Sequence, residues 1–415
     1  MRFVVIGLHA AGRSACHWLR RLAPTAEIIG VDPGPEPPYA RPLISHVLAG
    51  EIPPELLLLK DVDFFADHGV TLCRERAVGL NANCRLVTLA SGRELPYDAV
   101  LLATGASPRP AGVSGPLAGD ILYFRGRTDL SKILAGIRPG GVAAVLGGGL
   151  VGFKLTCGLL ARGMTVRLMV ASPRPLSLNV DATAGALVGA MLANRPGVEL
   201  YTGVSVRRME PGRERRYRLL LSDGTAHEVD LVAAGKGVIP STDWLQGTGI
   251  GTPDGIPCDD FLETAAPGVF VAGDVAITND VSLGGPRVNA IWPMAVEQGR
   301  YAAANMTGQH SPYPGSLSQN AVPVFDSLML SVGTVNPRYT GGCTFLTVSP
   351  SRKSYLNLVF RDDRLIGAVG LDAPPRLGEL AAGIRRGLRR ADIPDVWLRN
   401  PAGAAPLAAA GMVHR

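Results

Sequence analysis

Apolar positions in this chain fall into short, nearly unbroken runs. Such runs, rich in β-branched residues and closed by glycine or an acid, read as strands buried on both faces of a parallel sheet. Residues 3–6 form the first and stop at Gly7. Gly7-Leu8-His9-Ala10-Ala11-Gly12 follows, then helical spacing over 13–22, then a second strand at 27–31 closed by Asp32. Strand, glycine turn, helix, strand and acid is the order of a dinucleotide-binding βαβ unit. A second copy begins 140 positions after the first, with a strand at 142–146 and a full G-x-G-x-x-G at 147–152. A helix over 153–162, capped by Gly163, and a strand at 165–170 complete it. One glycine motif is a weak signal; two, each between strand and helix, are a strong one.

Further buried runs end at 99–103, 231–234 and 268–274, the last in Gly273-Asp274. A helix is predicted from Trp292-Pro293 through Asn305. From about Ser311 the pattern changes to alternation, with strands at 344–348, 355–360 and 365–369 and helices within 377–390. The predicted fold class is α/β, with two Rossmann-like domains and a C-terminal α+β domain.

Composition narrows the function. The 415 residues are 47% apolar and 18% charged, a folded composition. Net charge is +6 with no basic block, which argues against nucleic-acid and membrane-surface binding. The longest near-apolar stretch, 141–153, stops at Lys154, too short to span a bilayer. The N-terminal run is too short and too interrupted by His9, Arg13, Arg20 and Arg21 for a secretory signal, so a cytoplasmic protein is expected. The six cysteines (Cys16, Cys73, Cys84, Cys157, Cys258, Cys343) include no C-x-x-C, and the histidines lack ligand spacing. Iron–sulfur, zinc and dithiol chemistry are therefore not expected.

The glycine turn at 7–12, Tyr39-Ala40-Arg41-Pro42-Leu43-Ile44-Ser45, Ala103-Thr104-Gly105, Gly147-Gly148-Gly149, Lys236-Gly237-Val238 and Val271-Ala272-Gly273-Asp274 occur in one order over residues 1 to about 306. In this the chain resembles the FAD-dependent pyridine nucleotide-disulfide oxidoreductase superfamily. The nearer likeness is its cysteine-free branch, the rubredoxin- and ferredoxin-reductase-like proteins and the flavin domain of nitrite reductases. The last hundred residues resemble the family's third domain only loosely. The resemblance implies an FAD domain at 1–110 and 235–310, interrupted by an NAD(P) domain at 111–234, with an interface or dimerisation domain at 311–415.

It also implies residue roles. Gly7, Ala11 and Gly12 belong to the FAD diphosphate turn, where a free helix N-terminus meets the phosphates. His9 stands where a glycine is usual, so its Cβ should crowd the diphosphate. Asp32 suits the ribose hydroxyls. Arg41 is expected at the FAD phosphates, and Pro42 beside the isoalloxazine. His46 falls where many relatives carry a lysine near the flavin N5 and is a candidate for proton transfer. Thr104 and Gly105 underlie the FAD, Arg125 reaches its ribose or phosphate, and Gly273 and Asp274 hold the ribityl chain. The helix beginning at Trp292 directs its dipole at the flavin N1–C2=O edge. Gly147, Gly149 and Gly152 suit a nicotinamide-nucleotide pyrophosphate. Lys154 stands where relatives carry glutamate or lysine, a position involved in orienting the nicotinamide.

The second site lacks the expected strand-end acid. That position is Val170, and no Asp or Glu occurs between Val166 and Leu178. Arg174 could pair with an NADP 2′-phosphate; alternatively the domain binds NADH loosely or has lost the nucleotide. The expected function is an FAD-dependent NAD(P)H oxidoreductase passing electrons to an external redox protein or partner subunit. The alternative is a flavin-bearing electron-transfer subunit or interaction module that does not oxidise NAD(P)H.

Overall fold

The computed structural model describes residues 1–34, 39–59, 63–336, 343–351, 354–372 and 377–393, with the backbone alone at 346–351. The chain divides into two units. One comprises Met1–Ala40, Glu55–Ser107 and Val238–Leu317; the other comprises Arg41–Pro54, Pro108–Gly237 and the described residues from Ser318 on.

The first unit is built on a parallel sheet of five strands, in the order Val269–Val271, Ala99–Leu102, Arg2–Ile6, Glu27–Val31, Val70–Cys73. Val4 lies between Ile29 and Val100, so the first strand is central. Its residues serve two cores, which is why the run is unbroken. Phe3 and Val5 pack under the helices Ala10–Leu22 and Trp292–Met306. Val4 and Ile6 face the other way, into a core with Leu80, Val87 and Tyr97.

The second unit repeats the pattern with Val198–Thr202, Thr165–Val170, Val142–Leu146, Leu231–Ala234 and Leu122–Tyr123. The helix Leu150–Ala161 follows its glycine turn, and the helix Ala182–Ala193 follows the strand Thr165–Val170. The same unit carries an antiparallel sheet, ordered Gln319–Val324, Ser327–Gly333, Arg364–Leu371, Ser354–Arg361, Cys343–Ser351, and the helix Leu377–Arg385. Asp181 joins the two parts. It caps Ala182–Ala193 by accepting the Ala184 N–H at 2.9 Å, and its other oxygen accepts from Tyr355 Oη and Asn357 Nδ2, each at 2.8 Å.

Both motif helices begin earlier than the sequence pattern predicts, at Ala10 and Leu150. The reason is that the His9 and Gly149 carbonyls already accept the Arg13 and Phe153 N–H groups. The C-terminal helix ends at Arg385, short of 390, because Gly387 turns the chain at φ +68°. The antiparallel ribbon Val206–Pro211, Tyr217–Leu221, Ala226–Val229 was not legible in the runs of the sequence, because its apolar stretches are at most three residues long and are set among charged ones.

Candidate functional site

The two glycine turns have the same internal geometry. Gly7 (φ +92°) and Gly147 (φ +115°) hold backbone conformations that favour glycine. A Cβ on Gly7 would stand 2.2 Å from the Ala103 carbonyl oxygen, and one on Gly147 would stand 2.6 Å from that of Gly235. A Cβ on Gly12 or Gly152 would lie 1.8 Å from the carbonyl oxygen of the turn's own first glycine. Packing therefore dictates the first and last glycines. The middle position differs. A Cβ on Gly149 would meet nothing within 4 Å, so the fold itself does not require glycine there. That open space is a cradle of the kind a diphosphate enters. In the first turn the position is His9, half-buried, with its ring edge-on to Tyr39 at 5.1 Å between centroids.

Neither motif helix has a side-chain cap or an acid in its first turn, whereas Ala182–Ala193 is capped by Asp181. Neither motif helix is given a side-chain cap by the described residues, and phosphate oxygens suit such a helix start.

At the first strand end, Asp32 accepts the Leu8 N–H at 3.0 Å and the Gly34 N–H at 2.8 Å. Gly7 N–H donates to the Val31 carbonyl and Gly147 N–H to the Met169 carbonyl, both at 2.8 Å. Val170 therefore occupies the place of Asp32. It is buried, and a Cβ on Gly148 would touch its Cγ1 at 2.6 Å. Arg167 is committed to Glu199 (2.9 Å) and to the Glu228 carbonyl (2.9 Å). Arg174 runs past Gly185, where a Cβ would meet its Cδ at 2.7 Å.

Near the ends of the first sheet, Thr104 Oγ1 donates to the Ser241 carbonyl at 3.0 Å, and a Cβ on Gly105 would meet nothing within 4 Å. The Gly273 N–H donates to Gln298 Oε1 at 2.6 Å, fixing the turn before the half-buried Asp274. Gln298 Nε2 donates in turn to Ser316 Oγ, which also meets Thr278 Oγ1 and Tyr313 Oη. Sequence reasoning missed this buried chain, since one polar residue on an apolar helix face carries no periodic signal. Trp292 opens its helix without a side-chain cap, and Ala11 and Gly273 approach each other closely enough that a Cβ on Gly273 would lie 3.2 Å from that of Ala11.

Arg41 and Pro42 form a short turn, Arg41–Leu43, before the helix Ile44–Ala49. That helix packs on Leu150–Ala161, where Arg162 donates to the carbonyls of Val47 and Leu48. His46 Nδ1 faces Glu51 Oε2 at 2.5 Å, a carboxylate partner the sequence did not suggest. The Arg125 N–H donates to Asp129 Oδ2 at 2.9 Å, just before the helix Arg127–Gly136. Lys154 is half-buried, and burial holds its ammonium below the usual lysine range. All six cysteines are free thiols, and burial pushes Cys16, Cys157 and Cys258 up to about 12, so these three are protonated at neutral pH. Among the described residues no cluster of His, Cys, Asp or Glu could hold a metal, and no helix is long and apolar enough to cross a membrane.

Two mononucleotide-type sheets, each with its glycine turn and uncapped helix, are the architecture of a dinucleotide-binding protein. The chain belongs to the pyridine nucleotide-disulphide oxidoreductase family, whose profile matches residues 1–299. It is 31% identical to the epsilon subunit of the NADH-dependent phenylglyoxylate dehydrogenase of Aromatoleum evansii, over 98% of this chain and 96% of that one. It is 28% identical to a probable ferredoxin reductase of Castellaniella defragrans, over 96% and 97%. Putidaredoxin reductase, in its covalent complex with putidaredoxin, has the same fold: TM-score 0.88 at 24% identity, covering 99% of this chain and 97% of that one. The chain is thus an oxidoreductase of the ferredoxin- and rubredoxin-reductase type.

Proposed function

We propose that the first unit binds FAD, that the Rossmann-like part of the second unit binds NAD(P)H, and that electrons leave to an external redox protein. The observation that carries this reading is the repeated turn. Both copies keep the packing-dictated glycines and leave a helix N-terminus without a side-chain cap. FAD, when bound, accepts a hydride from a reduced nicotinamide and gives up its electrons singly to an acceptor.

The chain's own residues would do the holding. The turn at Gly7–Gly12 donates backbone N–H groups to the diphosphate. Asp32 keeps that turn in shape through Leu8 and accepts from a ribose hydroxyl. Asp274 holds the ribityl hydroxyls, and Gln298 fixes the backbone just before it. The start of the Trp292–Met306 helix carries partial positive charge and would stabilise the negative charge of a reduced flavin held against it. Thr104 and Gly105 complete the flavin contacts within the first unit, while Arg41, Pro42 and Arg125, the other flavin candidates of the sequence, lie in the second unit. Gly147, Gly149 and Gly152 receive the nicotinamide nucleotide, with Lys154 one turn further along its helix. His46, poised against Glu51, is the candidate for moving a proton.

A second reading is favoured by the Aromatoleum relative, which is a subunit of a larger dehydrogenase. Here the chain is the flavin subunit of an assembly and exchanges electrons with partner subunits rather than with a ferredoxin. Rapid mixing of purified protein with NADH and with NADPH, followed by flavin absorbance, tests the common core of both. Bleaching with either nucleotide supports it, and no bleaching with either contradicts it. Reduction of a ferredoxin by the isolated chain then favours the first reading over the second.

A further inference from the structure

We infer that the antiparallel domain belongs to the nucleotide machinery of the second unit: Asn336, Tyr355 and Asn357 are positioning residues that act on the second glycine turn through a strained loop, residues 171–181. This rests on the assignment of that turn to a pyridine nucleotide. The two glycine turns are braced differently. In the first, Asp32 accepts the Leu8 N–H at 3.0 Å. The matching residue of the second turn is Gly148, and the side chain of Val170 has no acceptor to offer it. There the brace falls on the carbonyl instead, which accepts the Leu176 N–H at 2.7 Å. A trans peptide is planar, with its C=O and N–H on opposite edges. Tying the Gly148 carbonyl to the loop therefore turns the Gly149 N–H of the same peptide away from the loop, as a donor for a diphosphate oxygen.

The loop makes this bond from a conformation that leucine avoids. Leu176 has φ +53°, in the left-handed region, and is buried. A bulky residue held there costs free energy and persists only where surrounding contacts over-determine it. Inside the loop, the Leu176 carbonyl accepts the Asn179 and Val180 N–H groups at 2.8 and 3.0 Å.

The outer fastenings come from the antiparallel domain. Asn336, just past the strand Ser327–Gly333, donates through Nδ2 to the Ser177 carbonyl at 2.8 Å. Tyr355 and Asn357, on the strand Ser354–Arg361, both donate to Asp181 at the end of the loop. Ser177 directly follows Leu176, so the strained residue is held on one side by the glycine turn and on the other by Asn336. Loosening the outer bonds lets Leu176 relax toward an ordinary φ and frees the Gly148 peptide to turn. Coupling of this kind is reciprocal, so a nucleotide that fixes the turn tightens the hold of the antiparallel sheet on the loop.

The test is calorimetric titration of the purified holoprotein with NAD⁺ and with NADP⁺, alongside amide hydrogen exchange followed by mass spectrometry. Tyr355→Phe removes one hydroxyl and Asn336→Ala one amide, both outside the nucleotide turn. Each variant is expected to bind the preferred nucleotide about fivefold more weakly or worse, to exchange faster over 171–181, and to keep the flavin content of the unaltered chain. In the unaltered chain, saturating nucleotide should slow exchange over 171–181 and over 354–361. If one variant does not fold, the other decides. Unchanged affinity in both, or exchange over 171–181 that ignores the nucleotide, overturns the inference and leaves the site standing. Flavin lost in step with nucleotide affinity marks general unfolding and overturns it as well. An unaltered chain that binds neither nucleotide overturns the site and the inference together.

Discussion

Gly149 and Gly152 sit three residues apart in one motif, yet the structure assigns them different work, and alanine at each should separate folding from binding. A Cβ at 152 would stand 1.8 Å from the Gly147 carbonyl oxygen. Relieving that contact means moving backbone by more than about 1 Å, an overpacking cost of roughly 1–3 kcal/mol or more. A Cβ at 149 meets nothing within 4 Å, and its backbone (φ −79°) suits any residue. Its stability change should stay within about 1 kcal/mol of zero, the lost helix-start preference offsetting the gain from a stiffer unfolded chain. The same methyl, however, projects where a pyrophosphate would sit. Displacing the ligand from one charge-assisted hydrogen bond costs about 1.5–3 kcal/mol, roughly a tenfold to hundredfold loss of affinity. Thermal melting followed by circular dichroism, with calorimetric titration of the nucleotide, reads both quantities. The reasoning is refuted if Gly149→Ala melts as low as Gly152→Ala, or if it binds nucleotide as tightly as the unaltered chain.

Asp274→Ala should yield protein that has lost most of its flavin, and full flavin content in a folded sample would move the ribityl anchor elsewhere. Gln298→Leu leaves the Gly273 N–H without its acceptor, a cost of about 1–3 kcal/mol, and should speed flavin loss on dilution; an unchanged release rate would deny the residue its positioning role. Asp181→Ala removes a helix cap (about 1 kcal/mol) and the carboxylate oxygen that accepts from Tyr355 Oη and Asn357 Nδ2 (about 1–3 kcal/mol for each bond). Chemical denaturation should show a loss of about 3–7 kcal/mol, and a loss under about 1 kcal/mol would contradict the buried bonding. Lys154→Met should stabilise the protein at pH 7. The native ammonium titrates below its unfolded value, so the unfolded chain binds more protons as pH rises between the two, and the unaltered protein gains stability there. The melting gap between variant and parent should therefore narrow from pH 7 toward pH 10, and a widening gap would reverse the sign of the argument.

Much of the architecture was legible because parallel strands buried on both faces leave unbroken apolar runs, and because the glycines of the two turns are forced by backbone-to-carbonyl distances. The matched contacts of Gly12 and Gly152 are the structural form of that repeat. The absence of an acid at position 170 was also legible, together with the alternatives it leaves open for the nucleotide. The hydrogen bonds from Gly7 and Gly147, with the matching strand registers, give that correspondence between Val170 and Asp32 its geometry. What stayed hidden depends on long-range meetings. Gln298 reaches Gly273 across 25 positions, Asp181 reaches Tyr355 across 174, and neither spacing has a period to detect. His46 was singled out by position, and its partner Glu51 became evident only once the short helix Ile44–Ala49 was in place.

The central claim, that the N-terminal βαβ turn holds a flavin adenine dinucleotide pinned at residue 274, is tested most directly by denaturing a purified sample and separating the released flavin. The account predicts FAD, not FMN, at close to one per chain. A folded protein that releases no flavin, and takes up none when incubated with FAD, would contradict it.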